Sequence, residues 1–220
     1  LTKPHTPLYV PDTYFDLFPI EEVTLPPYLE NDLDDCAEAL RNRWAWGFQK
    51  FEALVASGGK EAWRGFVQAY LATLAFVDDQ IGVLLDALAA SPHADRTAIV
   101  LTSDNGYHLG EKDCIQKWHL WDESTRLPLL IHVPGAKGNG RICPHPVSHI
   151  DLYPTLVELC KLPTQPHSGA QVALDGHSLV PFLDNPEEAD WAGPSVALVG
   201  IRDGQDAPHF SVCSARHRYT

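Results

Sequence analysis

The residues best placed to do chemistry are Asp104 and Asn105, in the run Ser103-Asp104-Asn105-Gly106. Two adjacent side chains with oxygen donors suit a hard divalent cation such as calcium or magnesium. Gly106 lets the chain turn away sharply behind them. Asp-Asn-Gly is equally ordinary turn chemistry, so the triplet alone leaves both readings open. A polar loop follows, with His108, Glu111, Lys112, Lys117 and His119. Lysine is a compact charge that can meet an anionic oxygen and stabilise a leaving alkoxide. A single lysine is as readily a solvated one. His5 lies between Pro4 and Pro7, on a segment that proline keeps stiff and extended. By itself it reads as a surface histidine.

Several elements must hold these groups. Ala98-Ile99-Val100-Leu101-Thr102 is a short apolar, β-branched run without polar alternation. It predicts a strand buried on both faces, as in a parallel sheet under helices. In open α/β sheets ligands bind beyond the carboxyl ends of strands, which is where Asp104 and Asn105 fall. Residues 127–134, Leu-Pro-Leu-Leu-Ile-His-Val-Pro, predict a second buried strand. Residues 60–90 predict the longest helix. Phe66, Tyr70, Leu74, Val77, Ile81, Leu84 and Leu88 recur at three or four to give one apolar face. Ser57-Gly58-Gly59 precedes it as a loop, and Ser91-Pro92 ends it. Asp78 and Asp79 read as a solvated face, or as a structural hydrogen bond from Asp78. Helix, short polar joint and strand make half of a βαβ unit. Ser148 and Asp151 resemble a capping box opening a further helix, so Asp151 reads as structural. Residues 195–201 and 210–220 predict two more strands.

Composition narrows the class. A chain of 220 residues can bury a sizeable core as one domain or most of one. Its net charge of −13 and lack of any basic tract argue against nucleic-acid binding. No apolar run approaches the roughly 20 residues that span a bilayer, and no signal peptide is present. Five cysteines without a CxxC pair indicate neither a zinc site nor a disulfide framework. The Gly-rich turn at residues 136–141 lacks the Gly-Lys-Ser/Thr of a phosphate loop.

Taken together, S-D-N-G-Y-H-L-G-E-K, a lysine thirteen positions after the aspartate, and L-W-D-E-S-T-R-L-P-L-L-I-H-V-P-G resemble the type I sulfatases. The likeness is strongest to the iduronate-2-sulfatase and choline-sulfatase branch. It runs from K-P-H-T-P-L near the start to S-V-C-S-A-R-H-R-Y-T at the finish. It implies an α/β fold of alkaline-phosphatase type: a mostly parallel sheet flanked by helices, leading into a smaller C-terminal antiparallel sheet. Residues 1–183 would then be the distal part of the catalytic domain, and 184–220 the start of a C-terminal subdomain. By the same resemblance Asp104 and Asn105 are metal ligands for calcium, with magnesium the alternative. Lys117 and His5 become catalytic and sulfate-binding residues. His108 flanks the substrate pocket, with Trp118 and Trp121 as walls. The implied substrate is a small sulfated sugar, choline or aryl ester. The implied location is extracytoplasmic: periplasmic, secreted or lysosomal.

The family's nucleophile is a formylglycine made from the Cys or Ser of C/S-x-P-x-R. This chain has no such motif, because Cys143-Pro144-His145-Pro146 has the wrong spacing and no arginine. The family's two early aspartate ligands are missing as well. Both features lie upstream of K-P-H in the family, so the resemblance implies a C-terminal fragment that is catalytically inert alone. Two alternatives stay open. One is a phosphonate monoester hydrolase or phosphodiesterase of the same superfamily. The other is a non-catalytic remnant with a structural or binding role. Asn105, where a phosphoryl-transfer relative would carry histidine, leans towards the sulfatase.

Overall fold

A computed structural model describes residues 2–36, 38–41, 46–163, 174–187, 191, 195–199 and 209–219. Trp44 and the expected strand end at Ile201 lie outside them. The chain divides into two compact units. One joins Leu1–Asp95 to Asp104–Leu127, and the other joins Arg96–Ser103 to Pro128–Thr220. The chain leaves the second unit after Ser103 and returns to it at Pro128.

The first unit is built on a long helix. After one helical turn, α1 (Asp12–Phe15), comes α2 (Trp46–Ala89), which is bent at Gly58 and Gly59. Gly59 takes φ +60°, so the expected loop is a kink between two helical arms. Phe51, Trp63 and Val67 of α2 bury themselves with Val23 and Ile115, and Phe48 packs with Leu33 and Cys114. The buried seam is not the full stripe read from periodicity. Ala72 and Thr73 are buried, whereas Leu74, Val83, Leu84 and Leu85 are exposed. Periodicity says which residues share a face; whether that face is covered depends on distant chain. Tyr14 of α1 donates to Asp79 Oδ2 at 2.8 Å, so Asp79 takes the structural hydrogen bond expected of Asp78.

The loop of this unit carries a small antiparallel hairpin, β2 (His108–Leu109) and β3 (Ile115–Gln116), then a short helix, α3 (Asp122–Thr125). In the second unit β1 (Ile99–Thr102) pairs with β4 (Leu129–His132), Leu101 opposite Leu130. Neither a parallel pairing nor burial on both faces is found among the described residues. The ribbon is antiparallel, and every strand pair among the described residues is antiparallel. Nor are β1 and β4 buried on both faces, since Val100, Leu101 and Leu130 stay exposed. The two apolar runs find each other across the intervening loop of residues 103–128.

Further on, Asp151 closes the expected capping box by accepting Ser148 N–H at 2.7 Å. It also accepts His177 N–H at 2.8 Å. Thr155 Oγ1 accepts Leu179 N–H at 2.8 Å. The start of α4 (Leu152–Leu159) is thus tied to the segment that leads into α5 (Val180–Asp184). The chain ends in an antiparallel sheet of β5 (Ser195–Val199), β6 (His209–Cys213) and β7 (Arg218–Tyr219). This is the smaller C-terminal sheet that the resemblance implied.

Candidate functional site

Asp104 and Asn105 follow β1 by two and three residues. Gly106 pins them against α3. Its N–H donates to Ser124 O at 2.9 Å. A Cβ at Gly106 would run into the Glu123 carbonyl oxygen, so only glycine fits. Lys117 Nζ donates to Asn105 Oδ1 at 2.9 Å, and Asn105 Nδ2 donates to Gly106 O at 2.8 Å. An ammonium can only donate, so it takes the amide oxygen. Two singled-out residues twelve positions apart therefore meet. Asp104 stays exposed beside them.

The stretch between is strained and tethered. Lys112, Asp113, Gln116 and Trp118 all have positive φ, from 55° to 81°. Residues with a Cβ hold that conformation only when their surroundings enforce it. Here Trp63 Nε1 donates to Leu109 O at 2.5 Å, and Lys50 Nζ donates to Gln116 Oε1 at 2.8 Å. Gly110, at φ +132°, lies so close to the Trp63 indole that a Cβ would collide with it. Lys112 pairs with Asp32 at 2.8 Å, and Tyr28 OH donates to Asp113 Oδ1 at 2.8 Å. Thus α2 and residues 28–32 hold the loop from one side.

The other expected residues fall differently. His5 is exposed and its Nδ1 lies 2.6 Å from Thr6 O. No hydrogen bond ties it to Lys117 or Asn105 among the described residues. His108 is 0% exposed, so its ring has no surface to offer a substrate. Trp121 is stacked on His119 at 4.9 Å and belongs to the packing beneath the loop, while Trp118 is 51% exposed. The buried group of His108, Cys114, His119 and Trp121 was not legible as a unit. Its members are scattered along a loop that carries no period.

As donors for a cation, Asp104 and Asn105 offer a carboxylate and an amide oxygen, both hard. The ammonium on Asn105 Oδ1 already shows that this oxygen faces a positive charge. Among the described residues no group of three or more His, Cys, Asp or Glu could hold a metal. Calcium takes six to eight oxygens, so this pair fits part of a shell rather than all of it.

An α/β chain with this arrangement has the fold of the alkaline-phosphatase-like hydrolases. The solved phosphonate monoester hydrolase SpPMH from Silicibacter pomeroyi superimposes with a TM-score of 0.78 at 26% identity, over 98% of this chain and 45% of its own. The model of the Sulfatase family matches residues 2–162, and the chain belongs to that family. A sulfatase of Formosa agariphila is 42% identical over 161 residues, which is 73% of this chain and 31% of the relative. Iduronate 2-sulfatase of Mus musculus is 30% identical over 238 residues, 90% of this chain and 43% of the relative. The chain therefore spans less than half the length of these relatives. No described helix is long and apolar enough to cross a membrane.

Proposed function

We propose that this chain is the part of a sulfatase that supplies one side of the sulfate and metal site. The observation that carries the reading is the 2.9 Å contact of Lys117 Nζ with Asn105 Oδ1. It brings the expected sulfate-binding lysine onto an expected metal ligand. Lys117 would bind a sulfate oxygen by charge-assisted hydrogen bonding and hold positive charge where the leaving oxygen becomes negative. His5, exposed on its proline-bounded turn, would donate a proton to that oxygen. Asp104 and Asn105 would hold part of the shell of a divalent cation, calcium or magnesium. That ion, when bound, supplies charge neutralisation at the sulfate. The formylglycine nucleophile belongs to sequence outside these 220 residues. In the complete enzyme β1 and β4 would join a larger, mostly parallel sheet, which their exposed Val100, Leu101 and Leu130 support. The substrate class is a small sulfate ester, and an extracytoplasmic location follows from the family alone.

A second reading, phosphonate monoester hydrolysis, is favoured by the SpPMH likeness. One experiment separates the two. The coding sequence upstream of Leu1 is read for C/S-x-P-x-R, and the complete product is assayed on an aryl sulfate and an aryl phosphonate in parallel. Faster turnover of the sulfate is expected. Preference for the phosphonate would transfer the assignment, and activity on neither would leave a binding role.

A further inference from the structure

The loop that carries Lys117 rests on two imidazoles in apolar surroundings. His108 opens β2 at 0% exposure, and His119, two residues past Lys117, is 8% exposed. Among the described residues, no side chain hydrogen-bonds either nitrogen of His108 or Nε2 of His119. The two rings meet edge to face with centroids 5.5 Å apart. Trp121 stacks on His119 and meets His108 at 5.9 Å. From α2, Phe48 sets its edge on His119 at 5.0 Å, and Gly47 packs beside His119 Nε2.

The titratable groups nearby do not relieve this isolation. From the hairpin these are Cys114, Glu111, Asp113 and Lys112; from α3 there is Glu123. The Cys114 thiol is fully buried and pushed well up by that burial. Glu111 spends its carboxylate on Leu109 N–H at 2.7 Å. Lys112 is 6.0 Å from the Trp121 ring centroid and paired with Asp32. No side chain among them hydrogen-bonds His108 or His119 Nε2, and only the Glu111 backbone approaches His108. A charged imidazole without a partner or water is strongly disfavoured. A second charge on the facing ring would be worse.

We propose that His108 and His119 are positioning residues: as a neutral ring-to-ring pair they form the floor of the Lys117 loop, and charging either ring releases the loop and the Lys117–Asn105 contact. The idea rests on the reading of Lys117 as the anion-binding group. Burial lowers both imidazoles to about 4, with His108 adding to the effect on His119 and the Glu111 backbone opposing it weakly at His108. An unfolded imidazole titrates near 6.5, so the folded value is the depressed one. The pair's contribution is complete above about pH 6.5 and is lost as pH falls through that value towards about 4. The site would therefore have a lower pH limit set beneath it, not within it.

The test follows ring resonances and amide protection of the isotope-labelled 220-residue chain by NMR from neutral to acid pH. Both rings are expected to stay neutral to below about pH 5. Protection of residues 107–121 should fall at least tenfold over the same descent, relative to the second arm of α2. The double variant His108→Phe/His119→Phe should lose that pH dependence. An equal acid loss in the double variant would overturn the proposal, as would a ring titrating at about 6.5 or above with the loop still protected. If the double variant does not fold, the wild-type ring titration decides alone, and His119→Phe should show a smaller response. Inorganic sulfate is titrated in parallel at neutral pH. Its failure to bind would overturn the reading of Lys117 while leaving the ring titration to judge the pair. Lys117→Ala should weaken sulfate binding at least tenfold without moving either ring.

Discussion

Asn105 shows how a turn can leave a side chain within reach of a distant residue. Asp-Asn-Gly was equally a turn and a ligand pair, and Gly106 does make the turn, with its N–H on Ser124 O. The Asn105 side chain serves both neighbours: its Nδ2 donates to Gly106 O at 2.8 Å and its Oδ1 accepts from Lys117 Nζ at 2.9 Å. Charge-assisted hydrogen bonds are worth about 1.5–3 kcal/mol, so Lys117→Ala should weaken sulfate binding by roughly ten- to a hundredfold, measured by calorimetry. Gly106→Ala is a different kind of change. Its methyl group would meet the Glu123 carbonyl oxygen. Overpacking of this sort costs about 1–3 kcal/mol, so a lower Tm and looser amide protection around Asn105 are expected. The meeting of Asn105 and Lys117 was legible because the spacing of this stretch matched a family. The burial of His108 was not, since nothing in its neighbours along the chain says which side of the loop it occupies.

Elements were legible in proportion to how local their signals are. The capping box of Ser148 and Asp151 spans four residues and was read correctly. The long helix and its break at Gly58–Gly59 were legible for the same reason. The hairpin of β2 and β3 was not. Its strands are two residues each, and its left-handed residues are ordinary types forced by tethers from α2. Strand direction was also beyond reach, because an apolar run such as Ile99–Thr102 states burial and not pairing. Asp151 gives the test at this scale. Its carboxylate serves two backbone donors while 3% exposed. Asp151→Ala leaves both without an acceptor and should destabilise the second unit by about 2–4 kcal/mol in a denaturant titration. Sulfate affinity of the first unit should not change.

At the scale of the whole molecule, the chain combines a net charge of −13 with exposed apolar strands. Leu130 is 56% exposed and faces Leu101 across the ribbon, so the two form one apolar surface. A two-stranded ribbon also leaves both outer edges ready to pair. Concentration-dependent self-association of the isolated chain is expected in sedimentation experiments. Leu130→Lys should reduce it while changing stability by no more than about 0.5 kcal/mol, as for other exposed positions. A hydropathy pattern could announce that these residues need cover, but not what provides it.

The bond between Lys117 and Asn105 has a thermodynamic consequence. A divalent cation on Asn105 Oδ1 would repel the ammonium already there, and an anion that draws Lys117 aside would free the oxygen. Linkage then requires reciprocity: sulfate raises the affinity for the cation by the same factor as the cation raises the affinity for sulfate. Calorimetric titration of calcium with and without sulfate would measure that factor. In Lys117→Ala the share carried by the lysine is lost, so the factor should fall, while calcium alone binds more tightly. With the lysine in place, such a site would respond to a cation and an anion as a pair and resist the cation alone.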